Sequence, residues 1–308
     1  MIADPIRFTT IVAQLSRERP NRRLDPLGNT IEGSTPSEDD SIPFDVTRFL
    51  YLHRLDGRVT DALQLAISEA VVVTGIDRGL ELRFANPFIP FAVTQEERDE
   101  TDAGNVDLIA DLEGVLSLPG WRIYGNLFVE EFFIDAEKRR RIGNQLAWRG
   151  GAWWADPLGW EGGSLGLEYT RVDVFTYLHR GLNTNWSTFG VPMGSSLGPD
   201  ADQLMLWADF WVTPGVVLRA DVLKRRAGER SIRTLESVTE AGNPPFPSGT
   251  VQRELRGGLE IWGVDPGWGL EGRARVSWTR AENIENDAGR DGDFWQLALQ
   301  LTYRAEFP

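Results

Sequence analysis

The sequence predicts an all-β chain, an antiparallel transmembrane β-barrel forming a single domain over 1–308, and three observations predict it. Apolar residues recur with a period of two. The alternating segments are longer than ordinary soluble strands. Short turns and long polar loops alternate along the chain. Composition sets the frame: 308 residues hold 32 Gly, 12 Trp and no Cys, with 46 acidic and 32 basic side chains, a net charge of −14. The apolar content of 41% is too high for a disordered chain. No run of about 18 apolar residues offers a transmembrane helix. Without Cys there is no disulfide framework, iron–sulfur cluster or thiolate zinc site. The acidic balance and the lack of a broad basic face argue against a nucleic-acid partner. Abundant Gly and Trp fit a β chain with tight turns and aromatic girdles.

The elements follow in chain order. Ile6–Gln14 alternates like a strand, and Met1–Pro5 lacks the basic region of a signal peptide. Within 61–104, Leu63, Leu65 and Ile67 alternate, Val71–Val73 is continuously apolar, and Leu80, Leu82 and Phe84 begin another alternation. Gly79–Asn86 is read as part of a structured outer loop. In Asp202–Val212, Leu204, Leu206, Ala208, Phe210 and Val212 share one face and Asp209 takes the other, while Met205, Trp207 and Trp211 are not given a single register. Leu218, Ala220 and Val222 then oppose Arg219 and Asp221. Leu255, Gly257, Leu259 and Ile261 oppose Glu254, Arg256, Gly258 and Glu260. Trp268, Leu270, Gly272, Ala274, Val276 and Trp278 oppose Glu271, Arg273, Arg275 and Ser277. Trp295, Leu297, Leu299, Leu301 and Tyr303 close the series against Gln296, Gln300, Thr302 and Arg304. Side chains on a strand alternate faces, so each segment has one greasy and one polar side.

A soluble sandwich and an outer-membrane barrel both show this alternation. Length and connections separate them. The segments run to about 10–15 residues, against the usual 5–6 of soluble strands, and a tilted strand needs roughly 9–11 to cross a bilayer. Short connections fall at 56–60, 117–120, 156–159, 213–215 and 265–267, each with Pro-Gly, Asp-Pro or Asp-Gly turn chemistry. Long polar stretches fall between them, near 17–45, 76–104, 135–142, 173–201, 228–249 and 281–292. Cutting there leaves about twelve strands, an even number, with both chain ends on the short-turn side. Trp268 and Trp278, and Trp295 and Tyr303, bracket greasy faces as interfacial girdles do.

At Tyr124–Asp135 (YGNLFVEEFFID), Leu165–Arg180 (LGLEYTRVDVFTYLHR) and Gly194–Leu204 (GSSLGPDADQL) the chain resembles the capsule assembly Wzi family of outer-membrane β-barrels. The likeness extends more loosely from Pro5 onward. It departs at Asn126, where the family carries an acid after Tyr-Gly. The resemblance implies a lectin-like, non-enzymatic protein of the bacterial outer membrane that helps hold surface polysaccharide on the cell. It also implies a barrel of about eighteen strands, of which this chain would be the C-terminal two-thirds.

Glu130, Glu131 and Asp135 suggest a glycosidase pair, but adjacent residues on a strand face opposite sides, so rim and lumen charges are the better reading. His53 and His179 are the only histidines, and no spacing supports a hydrolase triad or a histidine metal site. Lys138, Arg139, Arg140 and Arg141 form a basic run suited to anionic polysaccharide or lipopolysaccharide phosphate. Tyr177, His179, Arg180, Trp186 and Asp200 combine aromatic faces with polar groups, as sugar stacking requires, in a segment that also reads as a lumen plug. Arg219, Asp221, Glu254, Arg256, Glu260, Glu271, Arg273 and Arg275 carry both signs and read as a lumen charge network, with a charge-lined pore as the alternative. The expectation is a monomeric barrel that binds capsular or surface polysaccharide, contacts outer-membrane lipid, and uses no cofactor.

Overall fold

The computed structural model describes residues 6–17, 46–76, 79–86, 88–91, 106–132, 137, 143–178, 185–234, 242–265 and 270–303. Twelve strands form one antiparallel sheet, paired in chain order. They are β1 (Arg7–Gln14), β2 (Val46–Arg58), β3 (Leu63–Ile76), β4 (Val106–Leu118), β5 (Trp121–Glu131), β6 (Gln145–Ala155), β7 (Gly163–Val172), β10 (Ala201–Thr213), β11 (Val216–Ala227), β12 (Gln252–Asp265), β13 (Leu270–Glu282) and β14 (Gly292–Tyr303). A separate small hairpin, β8 (Ser187–Thr188) with β9 (Val191–Pro192), lies in the β7–β10 connection. β1 and β14 stand at the two ends of the strand order, and the sheet is not closed on itself. The connections are sorted as the turn chemistry predicts. β4 enters β5 through Pro119–Gly120, with φ 73° at Gly120, the left-handed position a type II turn needs.

Register assigns the faces. Leu165, Ala208, Ala220, Leu259, Val276 and Leu297 are consecutive partners across six strands. The next row is Leu167, Leu206, Val222, Gly257, Trp278 and Trp295. These rows are exposed: Leu259 is 62% and Leu297 70% accessible. Among the described residues no second layer covers them, so the sandwich alternative fails on packing. Trp268 lies outside the described residues. In water so much contiguous apolar surface would be untenable; in hydrocarbon it is the required surface. Met205 and Trp207, for which the sequence supplied no common register, face the opposite way together with Asp209, because the β10 ladder is regular up to an irregularity between Trp211 and Thr213.

The opposite face curves around a common centre. Leu15 beyond β1, Val72 on β3, Ile109 on β4, Phe128 on β5, Ala147 on β6 and Val172 on β7 join one buried cluster with Tyr177 and Trp186. Flat strands β1 to β7 would span about 29 Å at ~4.8 Å per strand. Side chains from both ends of that span meet in one cluster only if the sheet rolls, so this face is the lumen.

Aromatic pairs mark two levels of the outward face. Near the short turns Trp121 stacks on Trp154 at 4.7 Å, and Trp160 on Phe210 at 5.5 Å. Towards the long loops Trp148 meets Tyr169 at 4.9 Å, and Trp278 is the register partner of Trp295. Trp148 and Trp154 are six residues apart on one strand, which is about 15 Å of height at ~3.3 Å per residue and a tilt near 40°, before the rings themselves are added. The outward face turns polar at the upper level from β7 onward: Arg171, the register partner of Trp148, shares its row with Asp202 and Arg226.

The continuous run Val71–Val73 has a packing explanation. Val72 faces the lumen cluster. Val71 and Val73 face outward and are covered by Phe84 and Phe91, because the segment after β3 folds back over the outside of the sheet. Both faces are buried there, so period-two alternation vanishes.

Leu259→Arg on the outward face is expected to destabilise the reconstituted protein by about 2–4 kcal/mol, and Thr279→Arg on the lumen face by far less. Denaturant unfolding in vesicles measures both.

Candidate functional site

The long β7–β10 connection drops back into the lumen as a plug. It is tied to the wall at several points. The Tyr177 backbone N–H donates to Glu130 Oε2 at 2.6 Å. Thr176 Oγ1 donates to the Leu146 carbonyl at 3.0 Å. Arg48, fully buried on β2, donates to the Asn185 carbonyl at 2.6 Å. The backbone N–H of Phe189 donates to Ser16 Oγ at 2.8 Å. The Tyr177 hydroxyl accepts from the Ser195 backbone N–H at 2.8 Å, and burial pushes its pKa up to about 12.

Asp200 closes the plug. Its carboxylate accepts from the Ser248 backbone N–H at 2.9 Å, from Ser248 Oγ at 2.5 Å and from the Arg230 backbone N–H at 3.3 Å. Burial raises its pKa while those donors pull the other way. One side chain thereby joins the β7–β10 connection to both ends of the β11–β12 connection on the outer side.

Beneath the plug is a chamber of about 650 Å³, inside the ~300–1,000 Å³ range of small-molecule sites. Its walls carry Arg54, Ser68, Asp111, Asn126, Arg149, Glu168, Thr170 and Gln203, and its roof Tyr177, Trp186 and Met193–Leu197. Asn126 Nδ2 donates to Asp111 Oδ2 at 2.7 Å. The Tyr124 hydroxyl donates to Glu168 Oε2 at 2.6 Å. The Arg149 guanidinium sits 5.9 Å from the Tyr124 ring centre. Arg54 donates to Glu113 at 3.1 Å and also lines a smaller cavity, of about 330 Å³, nearer the short turns. The chamber thus presents fixed amide, carboxylate and guanidinium groups beside aromatic rings. It offers hydrogen-bond partners of both kinds to a polyhydroxylated ligand.

The residues predicted from sequence fall in three places. Lys138, Arg139, Arg140, Arg141, His179 and Arg180 lie outside the described residues, as do Asp135 and the side chain of Glu131. Tyr177 and Trp186 are brought together against Phe128, while Asp200 bonds Ser248 and Arg230; all three are buried, 1%, 5% and 0% accessible. Their surfaces are occupied by Phe128 and by loop backbone, so they are not open stacking platforms on an outer rim. The lumen charges lie on one face. Arg275 grips Asp221 with two hydrogen bonds of 2.7 and 2.9 Å and reaches Glu260 at 3.4 Å, while Arg273 lies 3.7 Å from Glu260. Arg219 grips Asp209 at 2.6 and 2.9 Å, a partner not singled out from sequence. Glu254 accepts from Gln252, and Arg256 and Glu271 share the face. His53 faces outward on β2, bonded to Glu69 at 3.0 Å.

Sequence reasoning missed Tyr124, Glu168, Asp111, Arg54 and Arg149 as a group. One signal was available. Gly151 is the register partner of Tyr124, and a Cβ there would lie 2.4 Å from the ring. A strand glycine opposite a tyrosine marks a ring lying flat across the sheet.

A model of the capsule assembly protein Wzi family matches residues 1–293. Among solved structures, OccK10 (OpdN) of Pseudomonas aeruginosa is 14% identical with a TM-score of 0.44, over 97% of this chain and 84% of that one. OprD of the same organism is 10% identical with a TM-score of 0.40, over 95% and 77%. An outer membrane channel from Pseudomonas putida F1 is 12% identical with a TM-score of 0.33, over 96% and 92%. A comparison with curated proteins finds no match.

Gly151→Val is expected to lift Tyr124 off Glu168 and to cost about 1–3 kcal/mol. Tyr124→Phe, which removes only the hydroxyl, costs about 1 kcal/mol. Equal losses in denaturant unfolding would contradict the ring-on-glycine geometry.

Proposed function

The chain belongs to the capsule assembly protein Wzi family, and from that premise we propose that it retains capsular polysaccharide at the cell surface by adsorption, making and breaking no bond. Membership makes it a protein of the bacterial outer membrane and of capsule assembly. The proposal concerns what it holds and how.

The observation that carries the reading is the plugged lumen with a polar chamber beneath it. Tyr177, Trp186, Met193 and Leu197 of the β7–β10 connection pack inside β1–β7, and the connection is pinned by Glu130, Arg48 and Asp200. A barrel built to pass solutes needs a continuous aqueous path, and the packing of Phe128, Tyr177 and Trp186 supports adsorption over passage. The chamber wall then supplies what a saccharide needs: Asn126 and Asp111, Arg149, and the Tyr124–Glu168 pair, all positioned before a ligand arrives. Outside, Lys138–Arg141 would add charge attraction for an acidic polymer, a contribution that salt screens. The polymer would be held by many weak contacts, so affinity comes from multivalency rather than from one deep site.

The mixed charges on β11–β13 serve a different purpose in this reading. Each buried carboxylate has an arginine across the sheet, so the network stiffens the wall.

Two measurements test the proposal. Binding of purified capsular polysaccharide to the reconstituted protein is expected to fall several-fold in the Asn126→Ala/Arg149→Ala variant, with folding retained. Replacing Lys138–Arg141 by Gln is expected to weaken binding at low salt and to change little at high salt. Unaltered binding in the first variant would remove the chamber from the mechanism. Steady single-channel conductance by the unmodified protein would favour the pore reading instead.

A further inference from the structure

We infer that residues 79–86 and 88–91 form a membrane-interface flap, docked on the outside of the barrel wall and covered by the headgroup layer of the bilayer. This does not depend on the polysaccharide reading.

The segment has two apolar sides. One is turned to the wall: Phe84 and Phe91 are 1% and 0% accessible and pack on Phe49, Tyr51, Val71 and Val73. The other faces away, with Leu82 77% and Phe88 91% accessible and Leu80 and Ile89 also exposed. A surface loop exposing four large apolar side chains beside one another is costly in water. Its position supplies the cover. The flap docks at the row of His53 and Glu69. The adjacent row towards the short turns, one residue pair beyond Arg54 and Ser68, is Leu55, Ile67, Leu112, Leu127 and Trp148. That row belongs to the hydrocarbon belt and contains the upper aromatic level. The exposed side of the flap is therefore continuous with the lipid-facing surface.

The backbone is prepared for a poorly hydrated layer. Five of its N–H groups are satisfied internally or by the wall. Glu81 N donates to the Tyr51 hydroxyl at 2.8 Å and Phe91 N to Glu69 Oε2 at 3.0 Å. Ala85 N donates to the Leu82 carbonyl at 3.1 Å, Phe88 N to Asn86 Oδ1 at 3.1 Å and Ile89 N to the Asn86 carbonyl at 3.4 Å. Irregular backbone is not tolerated against lipid tails. The headgroup boundary, where apolar rings and partly satisfied backbone coexist, is the layer that fits. His53 fastens the dock. Its ring stacks on Phe91 at 4.2 Å while Nδ1 contacts Glu69 Oε1 at 3.0 Å. One carboxylate thus holds both the wall histidine and the flap backbone.

The chain has no Cys, so single cysteines can carry a nitroxide at chosen sites. Phe88→Cys and Leu82→Cys would be labelled in protein reconstituted into phosphatidylcholine/phosphatidylglycerol vesicles. Leu206→Cys serves as the hydrocarbon reference and Asp287→Cys as the aqueous one. Oxygen and a nickel chelate give the depth. The expected result is a depth between the two references for both flap sites, with nickel broadening well below that at Asp287→Cys. Adding Phe84→Ser is expected to move both labels towards the aqueous reference. Nickel access equal to Asp287→Cys overturns the proposal. Dipolar broadening between labels on different chains overturns it too, since a second copy would then be the cover.

Discussion

The structure depends on one constraint: the apolar face of the long sheet has hydrocarbon as its solvent. Every polar group on that sheet must then be satisfied within the protein. Backbone groups do so through ladders that run from β1 to β14. Charged side chains turn to the lumen and find partners there, as Arg219 does with Asp209 and Arg275 with Asp221 and Glu260. The same constraint explains why outward charges such as Arg171, Asp202 and Arg226 stand at the long-loop ends of their strands, in the row of Trp148.

The lumen inherits a second problem, since a wall this wide leaves space that side chains alone do not fill. The β7–β10 connection solves it by returning inward and bringing its own apolar residues, Tyr177, Trp186, Met193 and Leu197. What it does not fill becomes the chamber. The motif residues meet in three ways: Tyr124 with Glu168 on the lumen wall, Glu130 with the backbone of Tyr177 at the plug, and Tyr169 with Asp202 on the outward face. Their spacing in sequence is explained by strand register and plug docking.

Much of the fold was legible because period two and turn chemistry are local. Leu204, Leu206, Ala208 and Phe210 declare their face without neighbours, and Pro119–Gly120 or Pro214–Gly215 declare a turn. The outward flap was not legible, because apolar residues at 71–73 and 80–91 look alike whether they meet lipid, lumen or each other. The site was legible only in part. Tyr177 and Trp186 meet in the plug and Asp200 bonds a neighbouring loop, but burial in a plug and exposure to a sugar use the same residue types. Asp111, Asn126 and Glu168 come from three strands, and only the register brings them to one wall.

The most direct test is a scan of single cysteines through 204–210 in native-like vesicles, with a lipid-soluble photoreactive label competing against a water-soluble maleimide. The account predicts a two-residue rhythm, in which 204, 206, 208 and 210 react with the lipid label and 205, 207 and 209 do not. Maleimide reaction at the even positions, or equal lipid labelling throughout, would contradict it.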